Sequence, residues 1–293
     1  MESENLFVDQ ARSALLEDEI SLNARFTSFS ESQATLAPGL ENEYFVSSPE
    51  LIIKYGITST VELQLSTPMV FSKVHFPGAA SFPDALNSGM GPVSLSAKLT
   101  VINPYLIERP ALAIRAKLTL PTGAPNKNLG EGTNILLGIN YSFTPGENID
   151  LNLNATYTDA GKFGALGLNP GNPISVGAGG EYGLYTGSSV EISAGFEAVY
   201  AISGGGAGQE FNSIFLAPGI TAKFGAFTAG ICAGKGFNLA TEYNGESYFG
   251  IPLTGTKGFA YPLFSLQPYA VDSLVAVELG WKFSLFQPAP EEE

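Results

Sequence analysis

The chain has 293 residues and a formal net charge of −14, yet only 14% of its residues are charged, against a usual figure of roughly 25%. So few charges leave too little to clothe a water-soluble surface. The clustered basic residues that nucleic acid requires are missing, and no apolar run approaches the roughly 20 residues of a spanning helix.

The first 19 residues hold Glu2, Glu4, Asp9, Glu17, Asp18 and Glu19 against Arg12, and Glu291 to Glu293 close the chain, so −8 of the −14 sits on the two ends. Residues 6–16 carry a short helical pattern with Asp9 as its N-cap, with a place inside or outside the rest of the fold left open. Met1-Glu2-Ser3-Glu4 has no basic start and no apolar h-region, so the chain is read as a mature form whose export signal was removed.

From residue 20 onward one signal repeats, an alternation of apolar and polar residues. Val93 to Val101, Leu112 to Leu120, Ile149 to Tyr157, Val190 to Ala198 and Val275 to Phe283 all show it. Period two means a strand with one apolar and one polar face. In chain order the predicted strands are 20–29, 41–56, 59–72, 92–102, 110–121, 133–144, 148–158, 174–185, 189–202, 211–224, 226–239 and 273–286. Many exceed the five or six residues typical of soluble strands and suit the roughly 9–11 of a membrane-crossing strand.

The connections alternate as well. Gly56-Ile-Thr58, Pro145-Gly-Glu147, Thr186-Gly-Ser188 and Phe224-Gly-Ala226 are short turns, while 73–91, 122–132, 159–173, 203–210 and 240–272 are long. Outer-membrane barrels sort their loops in this way, with short periplasmic turns and longer outer loops. The expected fold is therefore all-β, a transmembrane antiparallel up-and-down barrel of about twelve strands. An acidic periplasmic segment 1–19 precedes the barrel 20–286, and an acidic periplasmic tail 287–293 follows it.

Aromatic residues gather near the strand ends. Tyr55, Tyr141, Phe143, Tyr182, Phe227, Trp281 and Phe283 form one expected interface belt, and Phe26, Phe71, Tyr157, Tyr200, Phe215 and Phe237 the other. By parity Arg25, Lys54, Glu62, Lys98, Arg115, Lys117, Asp150, Glu181, Glu191, Glu197, Lys223, Glu278 and Lys282 point into the lumen. Such a set either screens solutes as a charged constriction or fills the barrel with salt bridges.

Catalysis finds little support. His75, the only histidine, falls in a predicted loop rather than beside a serine on the wall. Glu191 and Glu197 lie six apart on one strand, about 20 Å, too far for acid–base pairing. The single cysteine, Cys232, rules out an intramolecular disulfide and a Cys-based metal site. The glycine-rich stretch 203–208 lacks the helix and Lys-Ser/Thr of a phosphate loop and reads as an outer loop. No cofactor and no metal are expected, and the expected partners are outer-membrane lipids and a small-molecule solute.

Four segments resemble a known family. Pro49 to Leu63 is similar to its hairpin with an Arg-Tyr-Gly turn followed by Glu-Leu. Gly91 to Lys98 resembles its Gly-Asp-x-x-Leu-x-x-Lys strand, with Pro92 in place of the Asp. Ala111 to Gly123 resembles its alternating strand ending in Leu-Pro-Thr-Gly. Gly130 to Asn134 resembles the segment that follows, with Asn134 for an Asp. On these motifs, across residues 45–160, the chain is identified as a member of the outer-membrane transporter family of the MetA pathway of phenol degradation. The resemblance implies an outer-membrane barrel that passes hydrophobic or aromatic compounds. The alternative class is a closed structural or adhesive barrel that binds partners through its outer loops.

Overall fold

Alternating strands of this kind have an apolar face to cover and unpaired backbone edges to satisfy, and closure into a ring solves both problems at once. The computed structural model describes residues 15–34, 41–75, 85–102, 110–122, 133–146, 148–159, 172–206, 209–238 and 273–285. Thirteen strands form one antiparallel sheet. They are β1 (Glu19–Ala34), β2 (Glu41–Thr58), β3 (Val61–His75), β4 (Ala85–Met90), β5 (Val93–Ile102), β6 (Ala111–Leu120), β7 (Asn134–Gly146), β8 (Ile149–Asp159), β9 (Asn172–Thr186), β10 (Glu191–Gly206), β11 (Gln209–Phe224), β12 (Phe227–Asn238) and β13 (Ser273–Ser284).

The sheet closes because β1 pairs with both β2 and β13 and β2 pairs with β3. Twelve walls result, since β4 and β5 share one. Above Pro68 the edge of β3 pairs with β4 (Met69↔Met90), and below it with β5 (Ser66↔Ser94). The break falls at Gly91-Pro92, where proline has no N–H to donate. The Gly91 N–H bridges the gap by donating to the Pro68 carbonyl at 2.9 Å. The stretch 73–91, expected as a loop, thus contains a strand. A second correction falls at 203–210, where β10 runs to Gly206 and β11 starts at Gln209. Of the helix expected over 6–16, only Leu15 and Leu16 are among the described residues, and neither is helical.

Following the pairing once round the ring returns to β13 about 14 residues above its start, which for twelve strands means a tilt near 40° and a backbone radius of about 11 Å. Such a ring is wider than eight strands, which side chains alone fill, and narrower than an open porin.

Asp18 ties the two ends of the ring together. Its N–H donates to the Gly56 carbonyl at 2.9 Å and its carbonyl accepts from Leu285 N–H at 3.0 Å. Its carboxylate accepts the Tyr55 hydroxyl at 2.8 Å. Asp18 adopts φ 60, a left-handed conformation that Asp tolerates better than most residues. Gly56 lies under this turn, where a Cβ would fall 2.1 Å from the Leu16 carbonyl.

The outer surface is apolar. Ile114 is 51% exposed, Ile139 56% and Trp281 58%, and they stand among many other outward Leu, Ile, Val and aromatic side chains. An apolar area of that extent on a soluble protein would be a liability. Round a closed ring it is the surface that lipid wets. No helix among the described residues is long and apolar enough to cross a membrane, and the strands make the crossing instead.

Candidate functional site

On many of the walls the buried positions are polar ones, an inversion of a soluble core. On β5 they are Ser94, Ser96, Lys98 and Thr100, alternating with exposed Leu95, Ala97 and Leu99. On β6 Arg115 and Lys117 share their face with Ala111, Ala113 and Thr119, while Ile114 and Ala116 are exposed on the other. Among the described residues the lumen is where these charged side chains meet.

Three groups of them are resolved by geometry. At the β1–β13 seam Arg25 Nε donates to Glu278 Oε2 at 2.6 Å, and Arg25 Nη2 lies 2.5 Å from the same oxygen. Asn23 Nδ2 donates to Glu278 Oε1 at 2.8 Å and Ser21 Oγ donates to Asn23 Oδ1 at 2.6 Å. Two guanidinium nitrogens on one carboxylate oxygen make a charge-assisted contact, and here it joins the first strand to the last. Lower on the same seam Lys282 Nζ stands 3.5 Å from Glu19.

The second group is basic. Lys98 pairs in register with Arg115, Lys117 sits two residues along from Arg115, and Glu62 answers Lys98 at 3.6 Å. Lys54 is placed by the pairing of β2 with β3, opposite Gln64.

The third is mostly acidic and lies toward the turn end of β8–β11. Asp150 pairs in register with Glu181, and Glu181 accepts the Ser193 hydroxyl. Thr144 donates to Asp150 at 2.5 Å, and Glu191 faces Lys223 across β10 and β11. Glu197 lies at mid-wall, next to Gly179 and Ala217 in register.

The inward wall holds more than the charged residues that parity brings forward. Asn140, Asn152 and Asn154 form a buried amide row on β7 and β8. Ser142 Oγ donates to Asn152 Oδ1 at 2.5 Å, and Asn152 Nδ2 has no hydrogen-bond partner among the described residues. On β10–β13 the upper wall is apolar, with Val199, Phe215, Ala217, Leu274 and Ala276 each no more than 2% exposed. Phe215, expected in an aromatic belt, therefore faces inward. The parity that turns Lys223 inward turns Phe215 inward too, eight residues along the same strand, and that signal overrides the attraction of aromatics to strand ends. Among the other belt residues, Phe26, Phe71, Tyr157, Tyr200 and Phe237 are exposed outward, as are Tyr141, Tyr182, Phe227 and Trp281.

His75 lies at the loop end of β3, opposite Glu43. Cys232 is buried on the lumen face of β12. Among the described residues no group of three His, Cys, Asp or Glu side chains is placed to hold a metal ion.

The profile of the MetA-pathway of phenol degradation family matches residues 42–247, more than half of the chain. No curated protein sequence matches it. Among solved structures the chain is similar to the COG4313 outer membrane channel from Pseudomonas putida F1, with 17% identity and TM-score 0.58 over 93% of this chain and 98% of that one. The translocator domain of autotransporter NalP from Neisseria meningitidis aligns with TM-score 0.50 and 12% identity, over 90% and 88% of the two chains. A structure of the NanC porin aligns with TM-score 0.50 and 8% identity, over 89% and 100%. At these identities the likeness is one of fold.

Proposed function

The chain belongs to the MetA-pathway of phenol degradation family, and from that premise we propose that it is a passive outer-membrane channel for small hydrophobic or aromatic compounds. The observation that carries the reading is the inside-out wall, a closed ring with an apolar exterior around a lumen of both charged and apolar side chains. Only a closed barrel satisfies every backbone group in lipid.

The same wall argues for a narrow path. Glu62, Lys98, Glu181 and Glu197 are each below a tenth exposed, which does not suit a wide water-filled bore of the general porin kind. The similarity to a solved outer membrane channel supports the role, and lipids of the outer membrane are the surrounding partner. In this orientation the turns at 59–60, 147–148, 187–190 and 225–226, with both chain ends, face the periplasm. The lumen acts by screening and guiding solutes rather than by chemistry on them.

The test has two parts. The protein should fractionate with outer membranes and migrate faster on a gel unboiled than boiled, and Asn87→Cys should label on intact cells while Gly146→Cys does not. Reconstituted in planar bilayers, it should carry current and pass small aromatic solutes. A folded barrel that carries neither would favour the closed structural or adhesive reading.

A further inference from the structure

We propose that the outer wall from β12 through β13, β1 and β2 to β3 carries a binding site for the phosphorylated head group of lipopolysaccharide, built from Lys235, Ser273, Ser30 and Lys73. The inference goes beyond the channel reading. It rests only on the orientation given with that reading, in which the strand ends away from the short turns face the cell exterior.

Outward charge is rare on this barrel. Among the described outward side chains of the strands the charged ones are Lys73, Lys235 and Asp159. The two cations belong to one register row. Lys235 pairs with Ser273, Ser273 with Ser30, Ser30 with Phe45 and Phe45 with Lys73. Four spacings between neighbouring strands make the row about 19 Å long. The exposed Ser30 and Ser273 hydroxyls lie 2.7 Å apart. Two hydroxyls hold two hydrogens and their mutual bond uses one, so the other is left to donate outward. In the row beneath, the Ser28 and Ser47 hydroxyls lie 3.3 Å apart. The far side of the ring is different. Asp159 on β8 brings an anion there, and Leu137, Val176, Tyr200 and Leu216 fill the upper outward positions of β7 and β9–β11.

A cation on the lipid face is costly at mid-bilayer and cheap at the interface, so height decides what the row does. Lys235 is nine residues above the turn at 225–226, and Lys73 thirteen above the turn at 59–60. At roughly 3.3 Å per residue and a tilt near 40°, they stand about 23 and 33 Å above those turns. The apolar band of an outer-membrane barrel is about 25 Å tall, so both fall at its upper edge. The Lys235 ammonium lies 5.7 Å from the centroid of the Phe237 ring, two residues nearer the rim, so its stem carries the charge upward out of the apolar band. Lys73 is exposed and also has a contact within the protein, which makes it the lesser contributor. By register Glu43 stands one row higher, opposite His75, and marks the upper limit of the site. Below the row Phe26, Val275 and Ile231 are exposed and form an apolar bed.

A row of donors and cations over an apolar bed matches one kind of neighbour, an amphiphile with an anionic head. In the outer leaflet of a bacterial outer membrane that amphiphile is lipopolysaccharide, whose diglucosamine head carries phosphates directly above its acyl chains. Ammonium and hydroxyl donors make charge-assisted hydrogen bonds to phosphate oxygens, and basic groups beside a lipid-facing surface hold anionic lipid heads. The far side of the ring, with Asp159 and apolar side chains at this height, offers no such match.

The experiment measures lipid binding to the detergent-solubilised full chain by native mass spectrometry. The probes are bisphosphorylated lipid A, dephosphorylated lipid A, phosphatidylglycerol and phosphatidylethanolamine. Bisphosphorylated lipid A should bind at least tenfold more tightly than each of the others. Lys235→Gln should weaken its binding at least fivefold, and Lys235→Arg should keep it within twofold of the parent. The double variant Ser30→Ala, Ser273→Ala and the single variant Lys73→Gln should each weaken it by less than Lys235→Gln does. Heat-modifiable mobility shows that each variant is folded, and the serine double variant serves should Lys235→Gln fail that check. Equal binding of bisphosphorylated lipid A and phosphatidylglycerol, or parental affinity in the folded variants, overturns the proposal. Cysteine labelling on intact cells checks the orientation separately. Label at Gly146→Cys but not at Asn87→Cys would put the row in the phospholipid leaflet and overturn the proposal, while the channel reading would still be decided by its current.

Discussion

From β1 to β8 the inward wall carries long polar side chains, Arg25, Lys54, Lys98, Arg115 and the amide row of Asn140, Asn152 and Asn154 among them. From β9 to β13 the mid-wall positions include Gly177, Gly179, Gly195, Gly219, Gly230 and Cys232 beside Glu197 and Glu278, with Phe215 and Leu274 above them. The membrane asks the same of both halves, an apolar exterior and a complete hydrogen-bond ladder, and both comply. They differ only where the bilayer does not reach. The first half fills most of its inward positions with long polar side chains, and the second leaves many of its own small between Glu181, Glu197 and Glu278.

The strongest way to break this picture is to exchange the two faces of a single strand. Arg115 is half-buried inward while its neighbour Ala116 is exposed outward. Ala116→Arg should cost roughly 2–4 kcal/mol at mid-bilayer depth. Arg115→Ala should cost less, since water solvates what remains, and should alter conductance or ion selectivity. Urea titrations of both folded variants in lipid, followed by current recording, decide between them. A harmless Ala116→Arg beside an Arg115→Ala that does not fold would reverse the facing of β6.

A smaller effect is expected at the seam. Glu278→Ala leaves Arg25 and Asn23 without the acceptor they share, a loss of about 1–3 kcal/mol for a charged hydrogen-bonded group. Glu278→Gln keeps an acceptor and should recover part of it. Unfolding midpoints of the two variants measure the difference, and equal midpoints would mean that the network fills the lumen without holding the ring.

The smallest energetic contrast sharpens the account of the glycine wall. A Cβ at Gly234 collides with the Phe215 ring, whereas at Gly195 its nearest contact is the Gly180 carbonyl at 3.5 Å. Gly234→Leu should therefore cost about 1–3 kcal/mol through overpacking, while Gly195→Leu folds almost as well as the parent. Because Gly195→Leu adds a side chain to the lumen face of β10, it should lower conductance without lowering the unfolding midpoint. An unchanged current would place the solute path elsewhere.

Much of this was legible in the residues alone. Period two is a local property, so Val93 to Val101 or Ile149 to Tyr157 announces a two-faced strand without knowledge of its neighbours. The short turns at Pro145-Gly and Phe224-Gly are local too, and Gly225 takes the positive φ of 60 that glycine adopts at no steric cost. Motif order carried the family. The errors came where a local signal had two readings. The glycines of 203–206 read as a loop, but pairing with β11 extends β10 through them, because a ladder hydrogen bond needs only backbone. The polar tract before Gly91 hid β4, whose reason for being a strand is the free edge of β3 above Pro68.

What the chain by itself determined is which residues share a face, since that depends only on sequence separation within a strand. What only the tertiary structure decided is which faces meet. Arg25 and Glu278 are 253 residues apart, and nothing in either segment names the other. They are brought together because the ring must close on its first and last strands, at a register set by the shear of all twelve walls. Closure and register are properties of the closed sheet, and no single strand carries them.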